Sequence, residues 1–393
     1  MKKLVTTVLA GVMATSLVAC STPSNSGSAS QEEDSTSSSD MKVAMITDYG
    51  DITDQSFNQT TYETCTKWAK ENNVDFTYYK PADNSTADRE ASIDQAIEEG
   101  YNVIVTPGYA FAEALVHSAP NYEDVKFVAL DVSQDDLNTA AGKKPEDKNF
   151  KDWSSENVFC AIYQEELAGY MAGVAAVKLG YKKLGFLGGM AIPAVQRYGL
   201  GFVQGVEAAA TELGLTDVEI NYAYGNQFNG DADITGRMDT WYSAGTEVVF
   251  SCGGSIYTSA AEAAAKVNAK IIGVDVDQAP IVDKDYAEGM TVTSAMKGLA
   301  PTVVTLLDAI RDGKWDEYKG KVMNLGLVSG DDLSKNYVQL SDSTQWADGF
   351  TEDDYKKLVA DMYDGTVKVN PDTTVDLSKY EGNVKVNFEG NIK

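Results

Sequence analysis

Histidine occurs once in 393 residues, as His117, and cysteine four times, as Cys20, Cys65, Cys160 and Cys252. One histidine leaves little room for a zinc centre or a histidine-based nucleophilic triad. We read His117 as an ordinary surface helix residue. Cys65, Cys160 and Cys252 are far apart and odd in number, which is no disulfide framework. Basic residues are also scarce, with 32 Lys and Arg against 59 Asp and Glu for a net charge of −27. Such a chain is not built for nucleic acid or an anionic surface. Gly253-Gly254 has no Lys-Ser or Lys-Thr after it, so it is no P-loop, and Gly188-Gly189 lacks the dinucleotide fingerprint. No cofactor or metal is expected.

Long apolar runs are missing too, save one at the start. Lys2 and Lys3 precede an apolar stretch over 4–18 that is too short to span a bilayer. This is the pattern of a secretory signal, over 1–19. It ends Leu17-Val18-Ala19-Cys20, which resembles the lipobox of bacterial lipoproteins. Cys20 is then the lipidated N-terminus of the mature chain, on the outer face of the cell membrane. Losing Lys2 and Lys3 takes the net charge from −27 to −29. Residues 21–40 are Ser, Thr, Gly and acids with almost nothing apolar, a flexible tether of the kind that cannot offset its ordering entropy.

From Met41 a rhythm sets in. Short runs rich in Val, Ile and Phe, at 43–47, 76–79, 103–106, 127–130, 158–163, 184–187, 218–222, 248–251, 271–274 and 291–294, alternate with amphipathic stretches. That alternation predicts α/β architecture with parallel sheets covered on both faces. About 350 residues are too many for one core, and the rhythm restarts after 163. The expected division is a first lobe over 42–163 plus about 295–328, a second over 164–294 plus about 329–370, and a tail over 371–393 that wraps the surface or is disordered. A chain crossing between lobes more than once makes a multi-segment hinge.

In parallel α/β sheets ligands bind beyond the carboxyl ends of the strands. Asp48, Gly108-Tyr109, Asp131, Gly253-Gly254, Asp275 and Lys297 come after the apolar runs there, with Phe57-Asn58 and Arg197 at helix starts. Carboxylates accept paired hydrogen bonds from a diol, rings stack on a flat ligand, and glycines admit close backbone approach. Each position has a plainer reading beside it. Asp48, Asp131 and Asp275 are also good caps or turn residues, Ser56 a good N-cap, Phe57 a good core residue, and Arg197 a surface partner.

"ITDYGDITDQSFNQ" (46–59), "FLGGMAIPAVQRYGLGF" (186–202), "SCGGSIYTSAAEAA" (251–264), "IIGVDVDQ" (271–278) and "VTSAMKGLA" (292–300) resemble, in this order, the basic membrane protein family. The family includes purine nucleoside receptor lipoproteins of ABC importers, and the likeness spans about 42–370. It implies a type I periplasmic-binding-protein fold, with a nucleoside closed between two lobes and delivered to a permease. By position it implies Asp48, Asn58 and Asp131 as polar contacts, Phe57 as a stacking ring and Asp275 as the ribose carboxylate. Lys297 is a further polar contact, Gly254 a backbone contact and Tyr257 the opposing aromatic; Tyr109 and Arg197 complete the candidate set. The chain departs from the family at Gln55, where Lys is usual, at Ser255-Ile256, where Thr-Gly is usual, and in its acidity.

The first reading is therefore a monomeric, lipid-anchored transport receptor for purine nucleosides with no catalytic residue. Two others stand beside it: the same fold binding or sensing a sugar or other metabolite, and a nucleoside hydrolase built on the Asp cluster around 48–54.

Overall fold

In the computed structural model, residues 40–392 are described, apart from Tyr49. The expected signal, Cys20 and all of the tether but Asp40 lie outside the described residues.

The apolar runs become strands and the amphipathic stretches helices. The first half runs β1 (Lys42–Ile46), α1 (Phe57–Asn72), β2 (Asp75–Tyr79), α2 (Thr86–Glu98), β3 (Val103–Pro107), α3 (Ala112–Ser118), β4 (Lys126–Leu130), α4 (Gln134–Ala140) and β5 (Val158–Tyr163). The second runs α5 (Glu165–Lys178), β6 (Lys183–Gly188), α6 (Pro193–Glu212), β7 (Glu219–Tyr224), α7 (Ala232–Ser243), β8 (Val248–Cys252), α8 (Tyr257–Val267), β9 (Lys270–Asp275), α9 (Ala279–Asp285) and β10 (Thr291–Lys297). Then come α10 (Leu299–Arg311), β11 (Val322–Leu325), β12 (Val338–Leu340), α11 (Glu352–Tyr363) and β13 (Lys385–Asn391).

Two sheets result. The first has the order β11-β5-β4-β3-β1-β2, the second β12-β10-β9-β8-β6-β7-β13. All pairings are parallel except β12 on β10. In each sheet the opening strand lies between its second and third, so the winding reverses beside β1 and beside β6. These switch points leave crevices at the carboxyl ends, at β1/β3 and at β6/β8.

The chain passes between the sheets three times, at Gln164, at Gly298 and over 326–337. The crossings are bonded side by side. The Gln164 N–H donates to the Leu325 carbonyl, the Tyr337 N–H to that of Gly326, and the Gly298 N–H to that of Tyr337 at 2.6 Å. After the second crossing α10 packs on α1 and β4, so the first lobe recovers a helix and a strand that come after the whole second lobe in sequence. β10 runs to Lys297 within the second sheet, two residues past the 295 boundary expected from sequence. The tail also differs from expectation. Residues 385–391 pair along β7, and Glu389 accepts from Arg237 and from the Trp241 indole, so this end of the chain is a seventh strand.

One helix contact positions the site. α5 is buried nearly all round, as its Ala- and Gly-rich sequence requires, and it lies backbone to backbone on α6. A Cβ on Gly201 would sit 2.1 Å from the Glu166 carbonyl oxygen, and one on Gly169 2.1 Å from that of Tyr198. Only glycine permits that approach. It brings the first turn of α5, with Glu165, against the first turn of α6, with Arg197.

Candidate ligand-binding site

Both switch points open onto one cavity of about 70 Å³ between the lobes. The first lobe lines it with Asp48, Gly50, Asp54, Phe57 and Asn58 around the β1–α1 turn, Gly108 and Tyr109 after β3, and Asp131 after β4. The second lobe contributes Ile192, Ala194, Val195 and Tyr198 near the start of α6, Phe228 and Asn229 after β7, the 252–255 turn, Val274 and Asp275 at the end of β9, and Lys297.

The β1–α1 turn is built on Asp54. Its carboxylate accepts the backbone N–H groups of Ser56, Asn58 and Gln59 at 2.9–3.0 Å and the Asn58 amide at 3.2 Å. Burial nonetheless lifts its pKa. Asp54 therefore caps α1, and it is buried. This corrects one expectation: Ser56 is no simple N-cap, since its side chain makes no capping bond. Ser56 Oγ instead reaches across the cleft to donate to Asp275 Oδ2 at 2.5 Å. Gln278 Nε2 donates across it to the Gln55 carbonyl at 3.1 Å, where Gln55 holds a left-handed φ of 55°.

Asn58 Nδ2 also donates to Asp48 Oδ1, at 3.3 Å. A Cβ on Gly50 would lie 2.4 Å from that same Nδ2, so any larger residue there would have to push the Asn58 amide aside. Among the described residues Asn58 Oδ1 has no hydrogen-bond partner, nor has Asp131 Oδ1, and both atoms are buried. Buried acceptors without a donor, on residues that line the cavity, are places where a ligand's N–H or O–H groups would gain most.

Lys297 is the cation at the centre. Its ammonium donates to Asp131 Oδ2 at 2.5 Å, with Glu165 Oε1 at 3.5 Å and Asp275 Oδ1 at 3.8 Å. It stands 4.7 Å from the Phe57 ring centroid and 5.4 Å from that of Tyr163. Burial opposes its charge, but Asp131, Asp275 and Glu165 together raise its pKa above the ordinary lysine value. Burial pushes Asp275 and Glu165 up as well, against the pull of Lys297 and, for Glu165, of Arg197. Asp131 and Asp275 both hold left-handed backbone, φ 60° and 65°, at the ends of their strands. That turn aims each carboxylate into the cleft, at a conformational cost typical of a residue kept for function.

Of the positions singled out from sequence, the cavity brings together Asp48, Phe57, Asn58, Tyr109, Asp131, Gly254, Asp275 and Lys297. Two are not in its lining. Arg197 lies behind, with its Nε donating to Glu165 Oε2 at 2.6 Å. Tyr257 is the first residue of α8, and its ring packs in the second lobe's core with Ile234, Ala260 and Ile256. The second lobe's wall aromatic is instead Phe228. A Cβ on Gly189, Gly253 or Gly254 would meet Phe228 at 2.3–2.8 Å, so three glycines make its seat. Phe57 and Phe228 thus line the cavity from opposite lobes.

The profile of the Bmp family, described as ABC transporter substrate-binding protein PnrA-like, matches residues 41–356. The ABC transporter nucleoside-binding protein BmpA of Lactococcus lactis is 27% identical over 308 residues, 74% of this chain and 80% of that protein. Basic membrane protein B of Borreliella burgdorferi is 25% identical over 304 residues, 75% of this chain and 80% of its own. Among solved structures, an ABC transporter solute-binding protein from Aeropyrum pernix K1 superposes with a TM-score of 0.62 at 22% identity, over 84% of this chain and 87% of that one. The fold is the periplasmic-binding-protein α/β fold. The family is one of substrate-binding proteins rather than enzymes, which removes the hydrolase reading.

Proposed function

The chain belongs to the Bmp family of PnrA-like ABC transporter substrate-binding proteins, and on that basis we propose that it captures a purine nucleoside between its lobes and delivers it to an ABC permease. The observation that carries the nucleoside is the wall composition: a ring from each lobe, Phe57 and Phe228, with carboxylates on both sides. A purine slots between the rings, where offset stacking adds to apolar burial. Asp275 and Asp131, with Lys297 between them, accept the ribose hydroxyls in charge-assisted bonds. Asp48 and the unpaired Asn58 Oδ1 face the base edge, and Gly254 and Tyr109 close the remaining walls. In a water-poor cleft these contacts reach sub-micromolar affinity, roughly 8–10 kcal/mol. No bond is broken; ligand that contacts both lobes favours the closed form.

In this reading the protein works as a monomer outside the cell, held by lipid on Cys20. The Leu17-Val18-Ala19-Cys20 run supports the anchor, and Cys20→Ala should release the protein into the medium.

Calorimetry with adenosine, guanosine, inosine, cytidine, uridine and ribose tests the ligand. Heat with purine nucleosides, abolished by Asp275→Ala, is expected. Silence toward every nucleoside, or heat with ribose or another sugar alone, overturns the reading and returns the cleft to the sugar class.

A further inference from the structure

The three carboxylates around Lys297 differ in where the fold carries them. Asp131 comes after β4 and belongs to the first lobe, whereas Glu165 opens α5 and Asp275 ends β9, in the lobe of Lys297 itself. Opening about the three crossings draws Asp131 away from Lys297 but leaves Glu165 and Asp275 beside it. Glu165 also stands at the hinge, one residue after the first crossing, as Lys297 stands one residue before the second.

The Glu165 side chain is wholly buried, and Oε2 accepts from Arg197 at 2.6 Å. Oε1 has no hydrogen-bond partner among the described residues and lies 3.5 Å from the ammonium. It is within salt-bridge reach of Lys297 and outbid for it by Asp131 at 2.5 Å.

We propose that Glu165, held in place by Arg197, is a positioning residue that competes with Asp131 for Lys297 and so sets the resting balance between the open and closed cleft, and through it ligand affinity, without touching the ligand. In the closed form Lys297 is satisfied by Asp131; in the open form Glu165 takes over the ammonium and makes opening cheaper. Arg197 limits this by drawing on the same carboxylate. A ligand that binds the closed form gains or loses affinity as that balance moves. The inference rests on the proposed closure of the lobes around a ligand.

The two partners then act with opposite signs, which a merely structural role would not produce. Spin labels on exposed positions in the two lobes, Tyr78→Cys and Val267→Cys, report the inter-lobe distance by pulsed electron resonance, since Cys65, Cys160 and Cys252 are buried. Glu165→Gln is expected to raise the closed fraction without ligand and to tighten inosine binding roughly fivefold or more. Arg197→Gln is expected to shift the distances toward open and weaken binding by a similar factor. Should either single variant fail to fold, Glu165→Gln with Arg197→Gln leaves no orphaned buried charge. The double variant is expected to close and tighten relative to the parent. Glu165→Gln, or the double variant in its place, that leaves the ligand-free distances unchanged or opens them overturns the inference even if inosine binds. A shift toward closed without ligand supports it even if no nucleoside gives heat, in which case only the ligand assignment falls.

Discussion

Lys297→Met removes the central cation of the cleft while keeping much of the side chain's apolar volume. The half-buried Asp131 and the buried Glu165 and Asp275 then share no ammonium, and Arg197 remains against Glu165. Breaking a buried ion pair from one side costs about 3–5 kcal/mol. Spread over about 350 residues at roughly 2 cal/mol/K each, that lowers Tm by about 4–7 °C. The pH dependence comes from the directions of the shifts. Lys297 is raised in the fold, so its contribution is fully present below the unfolded lysine value and fades only as pH rises through the folded one. Glu165 and Asp275 are also raised, by burial. A raised carboxylate favours the fold at pH below its unfolded value, roughly 4, and the advantage is lost as pH climbs through the folded value. Taking Lys297 away raises both further, so the loss should be greatest near pH 8 and shrink toward pH 5. Scanning calorimetry of parent and variant at both pH values measures it. A Tm difference under about 1 °C at pH 8, or a larger loss at pH 5 than at pH 8, would refute the account of Lys297 as counter-ion to a buried acidic cluster.

Two further outcomes are expected. Phe57→Ala and Phe228→Ala should each weaken nucleoside binding by roughly 1–3 kcal/mol, about 5- to 150-fold, with little change in Tm, whereas Tyr257→Ala should lower Tm and leave the affinity of the folded protein nearly unchanged; calorimetric titration paired with melting separates the two. Deleting 383–393 should expose the β7 edge, lower Tm and promote self-association seen by light scattering, because an uncovered edge strand is a template for pairing.

The alternation of Val- and Ile-rich runs with amphipathic segments carried the strand and helix order, and the residues after each run carried most of the cleft wall. Asp48, Tyr109, Asp131, Asp275 and Lys297 were legible because a parallel strand's carboxyl end has a definite place in space. The misses share a cause: the direction of a side chain one turn into a helix, or in a loop without pattern. Tyr257 comes after a glycine turn just as Tyr109 does, yet it belongs to the second lobe's apolar cluster and is not in the cavity lining. Arg197 lies on a face set by the glycine contact between α5 and α6, which spacing within α6 alone does not reveal. Phe228 sits in the irregular segment between β7 and α7, and its seat is made by glycines about 40 residues before and 25 after it. The tail did carry a signal: Val386 and Phe388 alternate with polar residues, the period of a half-covered strand. Ser56 does not cap because Asp54, two residues earlier, out-competes a hydroxyl for the N–H groups of the helix start.

The interleaving of the lobes has a consequence for synthesis. The first lobe lacks α10 until residue 311 has emerged and the first sheet lacks β11 until residue 325 has, by which point β6 to β10 are already available to pair. A chain delivered N-terminus first therefore presents an early lobe with an unpaired β5 edge and an uncovered apolar face against α1 and β4 for as long as the second lobe takes to appear. Such long-range closure is slow and leaves sticky surface exposed. Chaperones that shield strand edges should therefore matter more for the yield of this protein than for one whose lobes are each contiguous in sequence.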